Sequence, residues 1–148
     1  MRAVEVAAAL CRQFEGFRPS PYLCPAGYPT IGFGTVNKPD GTKVTLADAP
    51  IDLRTADEWL LRTIRLEYLP GVLAASPILA GHPEALGAMV DFAYNLGAPR
   101  YRASTLRRKV NQEDWDGAKL ELMKWVYGGG KKLPGLVKRR TAEAALLG

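Results

Sequence analysis

Residues 14–34 read Phe14-Glu15-Gly16-Phe17-Arg18-Pro19-Ser20-Pro21-Tyr22-Leu23-Cys24-Pro25-Ala26-Gly27-Tyr28-Pro29-Thr30-Ile31-Gly32-Phe33-Gly34, and within them the chain changes its periodicity. Upstream, Val6, Leu10 and Phe14 fall four apart and Phe17 follows three later, the apolar stripe of an amphipathic helix over 2–17. Pro19-Ser20-Pro21 ends that helix, because proline lacks an amide hydrogen and pushes the residue before it out of helical geometry. Downstream, over 22–47, Gly27, Gly32, Gly34 and Gly41 punctuate short segments rich in Tyr, Ile, Phe, Val and Thr. That composition predicts a small hairpin sheet. Pro39-Asp40-Gly41 reads as its turn, with proline presetting one dihedral and glycine accepting a positive φ.

The rest of the chain reads as helix. Thr55-Ala56-Asp57-Glu58 matches a capping box, and a helix from there runs to about Tyr68 and stops before Pro70-Gly71. Pro83 suits a first helical position. Ala85–Leu96 is apolar nearly all round and predicts a buried central helix, ended by Gly97-Ala98-Pro99. Further helices are expected at Ser104–Val110, Trp115–Tyr127 and Leu136–Leu147, with Gly128-Gly129-Gly130 as a flexible break. The order is one helix, a small sheet, then a helical lobe, and a cleft between lobes is where ligands usually bind.

Composition narrows the class. The 148 residues fit one domain, at about 100–200 residues each. With 47% hydrophobic and 24% charged residues the chain is neither disordered nor fibrous. Apolar runs such as Val6–Leu10 fall far short of the roughly 18 residues of a membrane span, so no stable membrane insertion is expected. Glu5 interrupts the apolar start, so no signal peptide is expected and synthesis is placed in a cytoplasm. The formal charge of +5 suits any polyanionic partner: nucleic acid, membrane surface or cell-wall polymer. Two cysteines make no disulfide framework, and His82, the lone histidine, supports no histidine-rich metal site. No metal and no organic cofactor are expected.

Glu15 is the first candidate for chemistry. An acid between Phe14 and Phe17, beside a chain break, suits a cleft. An apolar setting there disfavours the charged form of a carboxyl and keeps it available as a proton donor. Nine residues on stands Cys24, and six beyond that Thr30, which opens Thr30-Ile31-Gly32-Phe33-Gly34. With this spacing the chain closely resembles the phage-type lysozymes, glycoside hydrolase family 24. Their signature is Glu-Gly at the end of the first helix, Asp or Cys nine residues on, then Thr before Ile-Gly-aromatic-Gly. Phe92-Ala93-Tyr94-Asn95-Leu96-Gly97 resembles the family's central-helix motif. Ser104-Thr105-Leu106 with Asn111 fits the next segment, and Trp125, Leu133-Pro134-Gly135-Leu136 and Arg139-Arg140 with Glu143 resemble the closing pattern. Only 37–85 carries no motif.

The resemblance implies an α+β, predominantly helical lysozyme-like fold in a single domain over 1–148. Its sheet lobe would span about 15–54, and its helical lobe about 55–148 plus the first helix. It implies hydrolysis of the β-1,4 bond between N-acetylmuramic acid and N-acetylglucosamine in peptidoglycan. In an inverting site one carboxylic acid protonates the leaving oxygen while a second group activates water on the opposite face. Glu15 carries over as the acid and Thr30 as a hydroxyl holding water or sugar. Tyr94, Asn95 and Ser104 carry over as substrate-binding residues. A monomer is implied, and so is delivery to the wall through a holin-type lesion or on a virion.

Cys24 departs from the better-known members, which carry Asp there. Three roles stay open: a thiolate that orients or deprotonates water, a nucleophile on the anomeric carbon, or a bystander. Asp40 or Asp48 would be alternative sources of charge. Cys11 lies one helical turn before Glu15 and reads as a small buried residue, or as the partner of Cys24 in an inhibitory disulfide. Lys131-Lys132 and Lys138-Arg139-Arg140 are candidates to face the cleft, where pairing of one arginine with Glu15 would favour the ionised carboxyl. Two other functions compete with hydrolysis: a lytic transglycosylase using Glu15 alone, and a non-catalytic wall-binding module. Nucleic-acid binding is disfavoured, because the basic residues do not interleave with aromatics in a reader motif.

Overall fold

The computed structural model describes residues 1–148. Helix α1 spans Arg2–Glu15 and buries Ala3, Val4, Ala7, Ala8 and Cys11. It ends two residues short of the expected Phe17 because Gly16 takes φ +72°, a conformation that favours glycine. Strands β1 (Arg18–Leu23) and β2 (Pro29–Gly32) follow as an antiparallel hairpin that pairs Tyr22 with Thr30 and Leu23 with Pro29. An irregular loop continues the sheet lobe, with isolated bridges Ile31 to Thr35 and Asn37 to Lys43. The expected turn at 39–41 is present, and Asp40 Oδ1 accepts from both the amide and the hydroxyl of Thr42.

Helix α2 (Leu53–Thr63) starts earlier than the sequence pattern suggests. Asp52, not Thr55, is its cap: Asp52 Oδ1 accepts from the Thr55 amide at 2.8 Å. Nor does the helical path stop before Pro70. It passes through a π-helical turn, Ile64–Tyr68, into α3 (Leu69–Ala75). That turn shifts the hydrogen-bond register so that Pro70 falls in a first turn, where its missing amide costs little. A 3₁₀ turn, Pro77–Gly81, leads to α4 (Pro83–Leu96), whose residues 85–93 are all buried.

Helix α4 is the axis of the helical lobe, with α1 laid along it. Around it lie α5 (Ala98–Ala103), α6 (Thr105–Asn111), α7 (Trp115–Leu122) and α8 (Pro134–Ala144). Helix α5 and the 3₁₀ turn are too short to leave a period in the sequence. Helix α7 ends at Leu122, not Tyr127, because Tyr127–Gly128 (β3) pairs with Lys131–Lys132 (β4). The glycine run is therefore a hairpin turn, not a flexible break. One cluster of 25 buried residues joins α1, Phe33, Ala56, Leu60 and helices α3 to α7, with Trp115, Trp125 and Ala144 of α8 packed against it. The fold is α+β and predominantly helical, as the sequence suggests.

Candidate active site

A cleft of about 760 Å³ runs between the β1–β2 hairpin, the loop after β2, the π turn, the end of α4 and the start of α8. Glu15 stands on its floor, because α1 ends there. The setting is not the apolar one its neighbours suggest. Arg139 Nη1 donates to Glu15 Oε2 at 2.6 Å. The same guanidinium forks onto Asp91, with Nε to Oδ2 at 2.9 Å and Nη2 to Oδ1 at 2.7 Å. Asp91 is fully buried and also accepts from Cys11 Sγ at 3.3 Å. A chain of charge-assisted hydrogen bonds thus leads from the core to the floor of the cleft, and such bonds are about twice as strong as neutral ones.

Burial alone would raise the Asp91 carboxyl, but its hydrogen bonds to Arg139 hold it below its ordinary value. Burial likewise opposes the Arg139 charge and is overcome by Asp91 and Glu15, so the guanidinium stays protonated. Beside this chain, Arg140 Nη2 donates to Asn95 Oδ1 at 2.8 Å and to Glu143 Oε2 at 3.1 Å. Arg140 Nε lies 2.8 Å from Glu143 Oε1 but is poorly aligned, and neither atom has a hydrogen-bond partner. Burial, then the hydrogen bond and charge of Asp91, push the Glu143 carboxyl well above its ordinary value. The two buried acids are therefore shifted in opposite directions, Asp91 toward its ionised form and Glu143 toward its protonated one.

The wall opposite Glu15 comes from the loop after β2. A Cβ added at Gly34 would stand 2.9 Å from Glu15 Oε1, so this position has to be glycine for backbone and carboxylate to approach. Tyr94 Oη donates to the Phe33 carbonyl at 2.6 Å and ties that loop to α4. Burial pushes the Tyr94 phenol well up, which keeps it a donor. Asn95 also lines the cleft. Its carbonyl oxygen is taken by Arg140, which leaves the amide N–H groups for a ligand.

The rim is the hairpin. Cys24 opens its turn: its amide donates to the Tyr28 carbonyl at 3.0 Å and its carbonyl accepts from Gly27 at 2.8 Å. Slight burial raises the thiol, but hydrogen bonds from the hairpin backbone at Tyr28, Ala26 and Gly27 outweigh it and lower it. Thr30 Oγ1 donates to the Tyr28 carbonyl at 2.9 Å, so the lone pairs of that hydroxyl remain for a hydrogen-bond donor in the cleft.

Glu15, Cys24, Thr30, Tyr94 and Asn95 thus line one cleft, drawn from α1, the hairpin and α4. Ser104, expected among the substrate-binding residues, is not among them. It is buried as the cap of α6, accepting from the Arg107 amide at 3.0 Å and donating to the Tyr101 carbonyl at 2.7 Å. Asp40 and Asp48 are also occupied elsewhere, Asp48 by Thr45 and Lys38. Cys11 and Cys24 are both free thiols, and Cys11 is sealed in the core on Asp91, so the inhibitory disulfide is not formed. Asp91 was not among the expected site residues. Its only signal is an acid in the middle of an otherwise apolar helix. Arg100, Glu67 and Asn37 also line the cleft without any motif to announce them.

The phage lysozyme family model matches residues 12–143. The chain is 34% identical, over 151 aligned residues, to the endolysin of Acyrthosiphon pisum secondary endosymbiont phage 1, covering 99% of this chain and 97% of that one. It is 34% identical to the SAR-endolysin of bacteriophage PS119, over 87% of this chain and 73% of that one. Among solved structures, an endolysin from Escherichia coli O157:H7 phage FAHEc1 superposes with a TM-score of 0.79 at 27% identity, over 96% of this chain and 90% of that one. The chain belongs to the phage lysozyme family. It is a glycoside hydrolase of the lysozyme type.

Proposed function

We propose that the protein is an endolysin that cuts the β-1,4 bond between N-acetylmuramic acid and N-acetylglucosamine in peptidoglycan, with Glu15 as the acid. The observation that carries the assignment of roles is that Glu15 and Thr30 line the same cleft, with Glu15 held by Arg139. Arg139 occupies Oε2, so Oε1, beside Gly34, is the oxygen left to hand a proton to the leaving sugar oxygen. Thr30 offers its lone pairs to a water on the hairpin side, and the Cys24 thiolate orients that water or takes its proton. Water then attacks the anomeric carbon, the glycosidic C–O bond breaks, and each product keeps one hydroxyl. Tyr94 and Asn95 hold the sugar chain along α4.

The resemblance supports three further readings: a single domain with its sheet lobe at about 15–54, action as a monomer, and synthesis in the host cytoplasm with holin-type delivery to the wall. No helix is long and apolar enough to cross a membrane.

A turbidity assay on purified cell walls tests the central role. Glu15→Gln is expected to lower the rate by about 10²–10⁴-fold, the usual worth of a positioned acid, with an unchanged circular-dichroism spectrum. Lysis that survives the change overturns the assignment. Mass spectrometry of the products checks the reaction, because hydrolysis leaves reducing ends one water heavier than the anhydro sugars of a transglycosylase.

A further inference from the structure

Arg140 and Glu143 of α8 meet in a pair sealed from water, and as a source of stability it is a poor one. Arg140 Nε, Arg140 Nη1 and Glu143 Oε1 are buried without a hydrogen-bond partner, and only Thr35 Oγ1 shares that condition in the whole chain. Burial opposes the charge of both groups. Apolar side chains of similar volume would hold the fold as well, because desolvation of a buried pair often outweighs its attraction. Orphaned buried polar atoms in a native core call for a reason other than packing.

The reason lies at the other edge of the guanidinium. Arg140 Nη2 donates to Asn95 Oδ1 at 2.8 Å, the one hydrogen bond that the Asn95 side chain makes within the protein. A guanidinium carries N–H donors and no acceptor. An Asn95 amide turned the other way would set N–H against N–H. Oδ1 must therefore face Arg140, which leaves the Nδ2 hydrogens free in a residue that lines the cleft. A hydroxyl, a water or a second amide in place of the guanidinium would accept either orientation. Nor can the guanidinium swing away. It lies 4.9 Å over the ring of Phe92, one turn back on α4, and Nη2 also donates to Glu143 Oε2 at 3.1 Å.

We infer that Arg140, held by Glu143, is a positioning residue that fixes the Asn95 amide with its N–H groups toward the substrate, so that the cleft offers a donor and no acceptor at this point. The inference rests on the proposal that Asn95 holds the sugar chain. It makes that contact selective for an acceptor oxygen of the glycan.

The test measures KM and kcat on purified cell walls for a set of variants, with the melting temperature alongside. Asn95→Ala removes the contact and is expected to raise KM about tenfold at unchanged kcat, the worth of one hydrogen bond. Arg140→Met combined with Glu143→Leu makes the pair apolar and keeps or raises the melting temperature. It frees the amide to take either orientation in each χ1 well open to a helical residue. Roughly one state in four then still binds, and KM rises about fourfold. Asn95→Ala made on that background adds only about two- to threefold more, because the changes act on one contact. A pair that served packing alone would shift the melting temperature and leave KM where it was. A parental KM in the double variant, with Asn95→Ala still raising KM tenfold, overturns the inference and leaves the sugar contact standing. A parental KM in Asn95→Ala removes the sugar contact itself, and the lock falls with it. Should the double variant fail to fold, Asn95→Asp decides. It keeps the bond to Arg140 but turns an acceptor into the cleft, so KM should rise at least as far as in Asn95→Ala. Binding as tight as the parent's would mean that the direction of the amide is immaterial, and the inference would be lost.

Discussion

The floor and the rim of the cleft are built by opposite means. The floor joins Glu15 of α1, Asp91 of α4 and Arg139 of α8 through hydrogen bonds that span up to 124 residues of chain, and Arg139 and Asp91 are sealed from water. The rim places Cys24 and Thr30 on one hairpin, held by contacts among residues 24–30. On the proposed roles, the group that transfers a proton is the one held by a rigid, long-range clamp, and the groups that manage a water stand on a local turn, where the side chain is free to differ. That is a physical reason why a thiol can occupy a position where the better-known members of the family have a carboxylate.

The sharpest way to break the contrast is to cut the clamp. Arg139→Met leaves Asp91 as a buried carboxylate without its fork and releases Glu15. Removing one partner of a buried pair costs about 3–5 kcal/mol, so the urea midpoint should collapse and activity with it. Arg139→Lys should recover little, because an ammonium cannot reproduce the bidentate geometry. Cys24→Ser, by contrast, should leave stability within about 0.5 kcal/mol of the parent, as surface changes do. Equal destabilisation by the two changes would erase the distinction between floor and rim.

A second prediction sharpens the rim. The Cys24 thiol lies below its ordinary value, so its thiolate fraction grows as pH rises through that lowered value. Activity that uses the thiolate should rise over the same window. Cys24→Asp should stay active and move the rise to the acid side, where a carboxyl ionises, and Cys24→Ser should lose both the rise and most of the rate. Iodoacetamide should inhibit the native protein by labelling Cys24 alone, since Cys11 is sealed in the core. Reductant should change nothing, because both thiols are free. A glycosyl adduct on Cys24, trapped by rapid quench and seen by mass spectrometry, would reassign it as a nucleophile.

The same contrast explains what could be read from the sequence. The rim is local, so the nine- and six-residue spacings of Glu15, Cys24 and Thr30 carry it, and Pro19-Ser20-Pro21 marks where helix gives way to sheet. Arg139 was within reach as one of three cations near the end of the chain, but nothing in the sequence says which of them meets Glu15. Asp91 carries no signal beyond being an acid in an apolar helix, because the charge that makes it tolerable arrives 48 residues later. Ser104 misled for a related reason. A serine before a helix suits a cap as well as a ligand contact, and only packing shows its oxygen engaged at both ends. The short elements at 77–81, 98–103 and 127–132 are fixed by neighbours rather than by their own periodicity.

The smallest expected effect is a slope in stability against pH, and it belongs to the floor. Glu143 is raised in the folded protein by burial and by Asp91, above the roughly 4.3 of an unfolded glutamate. A raised group contributes stability that is complete below its unfolded value and lost as pH rises through its folded one. Asp91, held low by Arg139 despite its burial, has the opposite sign, and its contribution is lost only as pH falls through its depressed value. The urea midpoint should therefore decline as pH climbs from the ordinary glutamate range toward the raised value of Glu143, by at most about 1.4 kcal/mol per pH unit for one proton. Glu143→Gln keeps the neutral form at every pH, so it should flatten that decline and match the parent on the acid side. Cys24→Ser should leave it in place. A parent curve that is already flat would mean that Arg140 holds Glu143 ionised in the core, and the floor would then be a fully charged network in which no buried acid keeps its proton.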